Sequence, residues 1–321
     1  MLIPWLQGLL SWEKAPMTWV LIHVNILIFA MTLDYLPNKD EKYFSVADNL
    51  VLTGRLYQQH VKNFKLNTID EKMKDIADRN ALMKDIADRN VLMMLGGQAI
   101  RNPEFIHNYS KNNFIGDQVQ IQNWLQAMDK YLKSIHRRPT YVFGLHHDDL
   151  SWHSWKTWIT YQFMHASFFH LLGNMGILLI FGAALEGLIG GISLLGLYVL
   201  SGLFGALGFV LLSGSTAAPM VGASGSLSGI MAFYVFREWR KNISFFYFLS
   251  PIKDYYGFIY LPTWSLLPLS FLPDLNAYLN TPEELGSGIA YTAHLGGAFL
   301  GIFLGVIFQL YTFKMKPYQK T

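Results

Sequence analysis

After residue 155 the chain alternates long apolar runs with short polar breaks, whereas residues 34–155 are polar and divided into shorter amphipathic pieces. A helix crossing a hydrocarbon layer of ~30 Å needs about 20 mostly apolar residues. Six runs approach or reach that length: 17–33, 163–185, 192–213, 219–236, 255–272 and 288–313, the fifth interrupted by Pro262 and Pro268. Arg237, Arg240 and Lys241 follow the fourth run and Lys314, Lys316 and Lys320 follow the sixth, while the connections 214–218 and 273–285 carry no Lys or Arg. The positive-inside rule then puts the ends of runs four and six, and both termini, in the cytoplasm. The pattern predicts an all-α membrane protein with six transmembrane helices.

The polar stretch between runs one and two falls outside in that orientation. Its octapeptide MKDIADRN at 73–80 recurs at 83–90. A ten-residue step advances a helix by about 2.8 turns, so the copies do not preserve one face, and two copies do not make a solenoid. Thr68 with Glu71 is a capping-box signature and Gly96-Gly97 a stop signal, which predicts one helix over 69–95. A second helix is expected over 118–135, where Ile121, Trp124, Leu125, Met128, Leu132 and Ile135 share a face suited to packing. The division expected is a first span in 1–33, an external helical lobe inserted at 34–155, and a membrane core with a cytoplasmic tail at 156–321.

Composition sharpens this. Of 321 residues 52% are hydrophobic and 15% charged, against about 25% charged in ordinary soluble domains. The absence of cysteine excludes disulfides, thiolate catalysis and Cys-ligated zinc. A net charge of +3 is too small to argue for nucleic acid. The N-terminus lacks a basic start and a small-residue cleavage site, so no removable signal peptide is expected. His146-His147-Asp148-Asp149 reads as a solvated turn rather than a metal site. No metal or cofactor is expected.

Polar residues inside membrane runs are costly and mark candidate functional sites. Gly222-Ala223-Ser224-Gly225 opens the fourth run, and Ala293-His294-Leu295-Gly296-Gly297 lies early in the sixth. Both runs travel inward, so Ser224 and His294 sit at similar depth, nearer the outer face than the midplane. A serine and a histidine at one depth suggest a nucleophile and its base. Gly225 and Gly229 in run four, with Gly297, Gly301 and Gly305 in run six, form small-residue faces that permit close contact between the two helices. His170 and Asn174, one turn apart near the outer end of run two, are donors placed to stabilise an oxyanion. His165, about 140° around that helix from His170, is a further candidate for the same shell.

Taken together, Phe163-Met164-His165, His170, Asn174, Gly222-Ala223-Ser224-Gly225 and Ala293-His294-Leu295-Gly296-Gly297 with Gly301 resemble the motifs of the rhomboid family of intramembrane serine proteases in order, spacing and orientation. Leu185-Glu186-Gly187 and Tyr198-x-x-Ser201-Gly202 agree as well. The resemblance covers the membrane part and leaves out the lobe. It implies a rhomboid-like bundle in which Ser224 attacks and His294 serves as base, a dyad because no Asp or Glu lies near His294 in sequence. The Ser224 amide, Asn174, His170 and His165 would hold the oxyanion. The implied substrates are transmembrane proteins, cut in or near helices weakened by Gly, Pro or small polar residues. The expected setting is a bacterial inner (plasma) membrane, with the lipid bilayer as the surrounding partner.

Two features depart from the family pattern. Trp155-Lys156 stands one residue out of register with the usual Trp-Arg, and Ser228 stands where an aromatic commonly packs on the catalytic histidine. The competing class is a non-catalytic rhomboid-like binding or quality-control factor, which typically lacks the serine or the histidine. A transporter would show midplane polar residues or paired repeats. No His-Glu-x-x-His or Gly-x-Gly-Asp of other membrane proteases occurs.

Overall fold

A computed structural model describes residues 2–5, 12–33, 47–64, 86–100, 102–147, 155–213, 219–248, 256–280 and 290–315. Strand β1 (Leu2–Trp5) and helix α1 (Pro16–Thr32) come first, then α2 (Ala47–Phe64), α3 (Ile86–Ala99), α4 (Pro103–Asn108) and α5 (Gln118–His136). Helices α6 (Phe168–Ile189), α7 (Gly191–Leu212) and α8 (Ser224–Arg237) follow. Strands β2 (Asn242–Phe248) and β3 (Tyr256–Pro262) precede α9 (Leu266–Asn280) and α10 (Tyr291–Met315). The chain divides into two compact units, one of 1–33, 143–213 and 220–321, the other of 34–142 and 214–219.

Among the described residues of the first unit three helices, Phe168–Ile189, Gly191–Leu212 and Tyr291–Tyr311, are long and apolar enough to cross a membrane, and α1 is a shorter apolar helix of 17 residues. The fifth apolar run differs from expectation. Its first half is β3, paired antiparallel with β2 (Phe245↔Ile259), which pairs in turn with β1 (Pro4↔Phe245). Helix begins only at Leu266. Apolarity does not separate a buried strand from a helix, and the aromatic and β-branched residues of 242–248 and 256–262 favour the extended form. The expectation of an all-α protein is corrected by this small sheet, whose Ile243 and Phe245 are buried in the unit's main core.

Glycine sets how closely the helices approach. A Cβ on Gly297 would overlap the Gly225 carbonyl, one on Gly301 the Gly229 carbonyl, and one on Gly305 the Phe236 side chain, so α8 and α10 meet backbone to backbone. Helix α7 closes on the same pair: a Cβ on Gly208 would lie 2.5 Å from the Thr292 carbonyl, and one on Gly296 would overlap that of Phe204. The Leu185-Glu186-Gly187 motif has a structural role. The buried Glu186 carboxylate accepts from the Met17 and Thr18 amides (2.8 and 2.7 Å) and the Thr18 hydroxyl (2.8 Å). It caps α1, where a negative charge is favoured by the free N–H groups of the first turn.

In the second unit α2 and α3 also meet through glycine, with Gly54 against the Leu92 carbonyl and Gly96 against that of Leu50. This explains why Gly96-Gly97 does not end the helix as expected: α3 runs to Ala99, and Gly96 serves the contact. The remainder of the helix predicted at 69–95, with the first octapeptide copy, lies outside the described residues. Helix α5 matches expectation. Asp117 caps it through the Val119 amide (2.9 Å), and Ile121, Trp124 and Met128 are buried. Trp124 Nε1 donates to the Thr53 hydroxyl (2.9 Å).

Replacing Gly301 by Leu drives a side chain into the α8 backbone, and overpacking of this kind costs about 1–3 kcal/mol or more. Gly301→Leu should therefore lower the thermal unfolding midpoint in detergent by several degrees, or leave no folded protein. Gly176→Leu, at a position with open space around it, should change the midpoint little.

Candidate active site

The segment leading into α8 is pinned before Ser224 is reached. Leu145 and Met220 exchange backbone hydrogen bonds (2.9 and 2.8 Å), and the Gly222 amide donates to the Tyr161 carbonyl (2.9 Å). Tyr161 is itself fully buried, its hydroxyl donating to the Gly202 carbonyl (2.6 Å). Beside it Gln162 accepts from the Ser226 hydroxyl (3.0 Å) and donates to the Trp158 carbonyl (3.1 Å). A Cβ on Gly202 would overlap the Gln162 amide, which accounts for the glycine of Tyr198-x-x-Ser201-Gly202. Neither Tyr161 nor Gln162 was marked by any sequence pattern, because their partners lie 41 and 64 residues away.

Gly222 has φ +127°, a conformation that side chains strain. A Cβ there would also lie 2.7 Å from His170 Cε1 and 3.6 Å from Asn174 Nδ2. His170 and Asn174, one turn apart on α6, thus lie over the backbone two residues before Ser224. Ser167 caps α6 by accepting from the His170 amide (3.2 Å). Asn174 is buried and its Nδ2 makes no hydrogen bond. A buried donor without an acceptor is costly and calls for an explanation. His165 packs edge-on against His170, ring centroids 5.2 Å apart.

Ser224 is the first residue of α8, where backbone N–H groups lack intrahelical acceptors. On the facing helix His294 is the fourth residue of α10. The two helices touch beside both residues: a Cβ on Gly225 would sit 3.3 Å from the Ala293 carbonyl oxygen. The structure therefore brings the elements carrying Ser224, His294, His170 and Asn174 together. The Ser224 hydroxyl and the His294 ring are not hydrogen-bonded to each other; such bonds are often loose in a free enzyme and tighten with substrate. Ser228 turns to its own helix, donating to the Ser224 carbonyl (2.9 Å).

The ring of His294 has instead a partner that the sequence reading missed. His294 Nδ1 lies 2.9 Å from Asp274 Oδ2 on α9, and the two side chains are 17% and 16% exposed. Twenty residues of chain separate them, so no local pattern links the two. The only hint was a lone acidic residue in the apolar stretch 266–280. Elsewhere, His147 Nε2 bonds to the Ser213 carbonyl (2.8 Å), while Asp148 and Asp149 lie outside the described residues. Trp155 and Lys156 occupy an exposed turn.

Gly222→Ala meets both the strained φ and the His170 ring. A residue held in such a region costs on the order of 1–3 kcal/mol, so the variant should unfold at lower temperature in detergent than the parent. An unchanged midpoint would mean that the backbone at Gly222 is freer than its geometry indicates.

Residues 152–311, about half of the chain, match the family model of the Rhomboid domain. No curated protein matches the chain. Rhomboids are generally intramembrane proteases, with inactive homologues among them. The matched stretch contains His165, His170, Asn174, Ser224, Asp274 and His294 together with the glycines that pack α8 on α10. With its apolar helices and this domain, the chain is an integral membrane protein and belongs to the rhomboid family.

Proposed function

We propose that the protein is an intramembrane serine endopeptidase acting on transmembrane proteins. The observation that carries the reading is the glycine-mediated contact beside Ser224 and His294, where Gly225 meets the Ala293 carbonyl and Gly297 meets the Gly225 carbonyl. His294 takes the Ser224 proton as the hydroxyl oxygen attacks the scissile carbonyl, then gives it to the leaving amine. A water repeats the sequence to release the acyl group. The oxyanion is met by the Ser224 amide, the unpaired Asn174 Nδ2 and His170, with His165 backing the His170 ring.

Length supports an intramembrane site. Helix α8 has 14 residues, or about 21 Å at ~1.5 Å per residue, against a hydrocarbon thickness of ~30 Å. With Arg237, Arg240 and Lys241 at the cytoplasmic interface, its first residue stops short of the outer surface. In this reading α1 and α6 to α10 are six spans, both termini are cytoplasmic, and the membrane is a bacterial inner membrane. The polar unit is an external insertion. A substrate helix must expose a carbonyl to Ser224, which favours segments loosened by Gly, Pro or small polar residues.

A non-catalytic rhomboid-like binding protein is the alternative, and the missing Ser224–His294 hydrogen bond is the observation on its side. Cleavage separates the two. In proteoliposomes holding a transmembrane substrate with a Gly-rich segment, the parent should cut and Ser224→Ala should not. Ser226→Ala and Ser228→Ala should retain substantial activity, since these hydroxyls bond within the bundle. No cleavage by the folded parent across a panel of such substrates would favour the binding reading.

Losing one oxyanion donor typically lowers turnover ~10²–10³-fold. Asn174→Ala should do so with little change in KM. Weaker binding at unchanged turnover would make Asn174 a substrate contact instead.

A further inference from the structure

In the sequence, nothing orients His294: the position of the usual aromatic is Ser228, and that hydroxyl is engaged by the Ser224 carbonyl. We propose that Asp274 is the positioning residue for His294, so that α9 supplies the third member of a Ser224–His294–Asp274 chain. The inference rests on the serine-protease reading above and deepens it.

Geometry and burial carry it. The 2.9 Å contact joins two side chains that are each about five-sixths shielded, so it is not a screened surface pair of the kind worth little. Asp274 is the only acidic residue in α9, among leucines, prolines and aromatics. A carboxylate in such surroundings is expensive without a partner, and the partner here is His294. An ionised carboxylate only accepts hydrogen bonds, so Nδ1 must carry the ring proton and Nε2 the lone pair. That is the tautomer a general base for Ser224 needs. When the Ser224 Oγ–H bond breaks and Oγ bonds to the scissile carbon, the proton moves to Nε2, and the Asp274 carboxylate stabilises the resulting imidazolium. Nε2 then passes the proton to the leaving nitrogen as the C–N bond breaks. Asp274 remains ionised throughout.

Two titratable groups face His294 among the described residues, Asp274 from α9 and His170 from α6. Helix α7 meets the start of α10 with Phe204, Gly205 and Gly208, and α8 meets it with Gly225, none of them titratable.

The test uses the full-length protein in detergent, with the rate of fluorophosphonate labelling as the readout. Asp274→Asn should slow labelling by roughly 10²–10⁴-fold, as loss of the orienting carboxylate does in serine proteases. Asp274→Glu should recover part of the rate. Nitrogen NMR of the parent labelled at histidine should find the His294 proton on Nδ1, a readout independent of activity and of whether the variant folds. Parent-like labelling of Asp274→Asn, no recovery of rate in Asp274→Glu, or the proton on Nε2 would each overturn the proposal. A parent that never labels would overturn the protease reading and the role together, while the NMR still reports whether the Asp274–His294 bond exists.

Discussion

Backbone contact between α8 and α10 is the constraint on which the rest depends. In a bilayer, helix association gains nothing from burying apolar surface and draws instead on packing and hydrogen bonds. The glycines at 297, 301 and 305 remove the side chains that would hold α10 away from α8, and Gly229 gives way to Ser201 on α7. Carbonyls of one helix then lie against glycine Cα atoms of the next. At such separation the neighbours of Ser224 and His294, Gly225 and Ala293, touch, although their helices start 67 positions apart in sequence.

The site built on that contact is polar in a setting that penalises polarity. Glu186 is buried yet satisfied, since three donors from α1 surround its carboxylate. Asn174 Nδ2 is buried and makes no hydrogen bond. The contrast fits the proposed function: a fold gains stability by completing its hydrogen bonds, whereas the oxyanion site proposed here would keep a donor open until charge develops. Gly222 belongs to the same design. Its φ of +127° and missing Cβ let His170 and Asn174 lie directly over the chain leading to Ser224.

Much of this was legible in the sequence. Spacing and glycine flanks marked Ser224, His294, His170 and Asn174 as candidates, and the glycine contact expected between their helices is present, because the physics that brings helices together in lipid also dictates small residues at the contact. The sheet was not legible, since Phe245, Phe258 and Ile259 are as apolar as any membrane helix and only pairing distinguishes them. Gly96 read as a helix stop, because a glycine required for close packing carries the same letter as one required for a turn. Asp274, Tyr161 and Gln162 were missed for a common reason: each acts through a partner distant in sequence, and one-dimensional pattern holds no such information. Asp274, and not an aromatic at position 228, is the residue found against the His294 ring.

Covalent trapping tests the central claim most directly. The full-length protein, purified in detergent, is treated with a fluorophosphonate, digested and mapped by mass spectrometry. The account predicts a phosphonate adduct on Ser224 in the parent, with none on Ser226 or Ser228, and its loss in His294→Ala despite a retained fold. A folded parent that carries no adduct on Ser224, under conditions that label a soluble serine protease to completion, would contradict it.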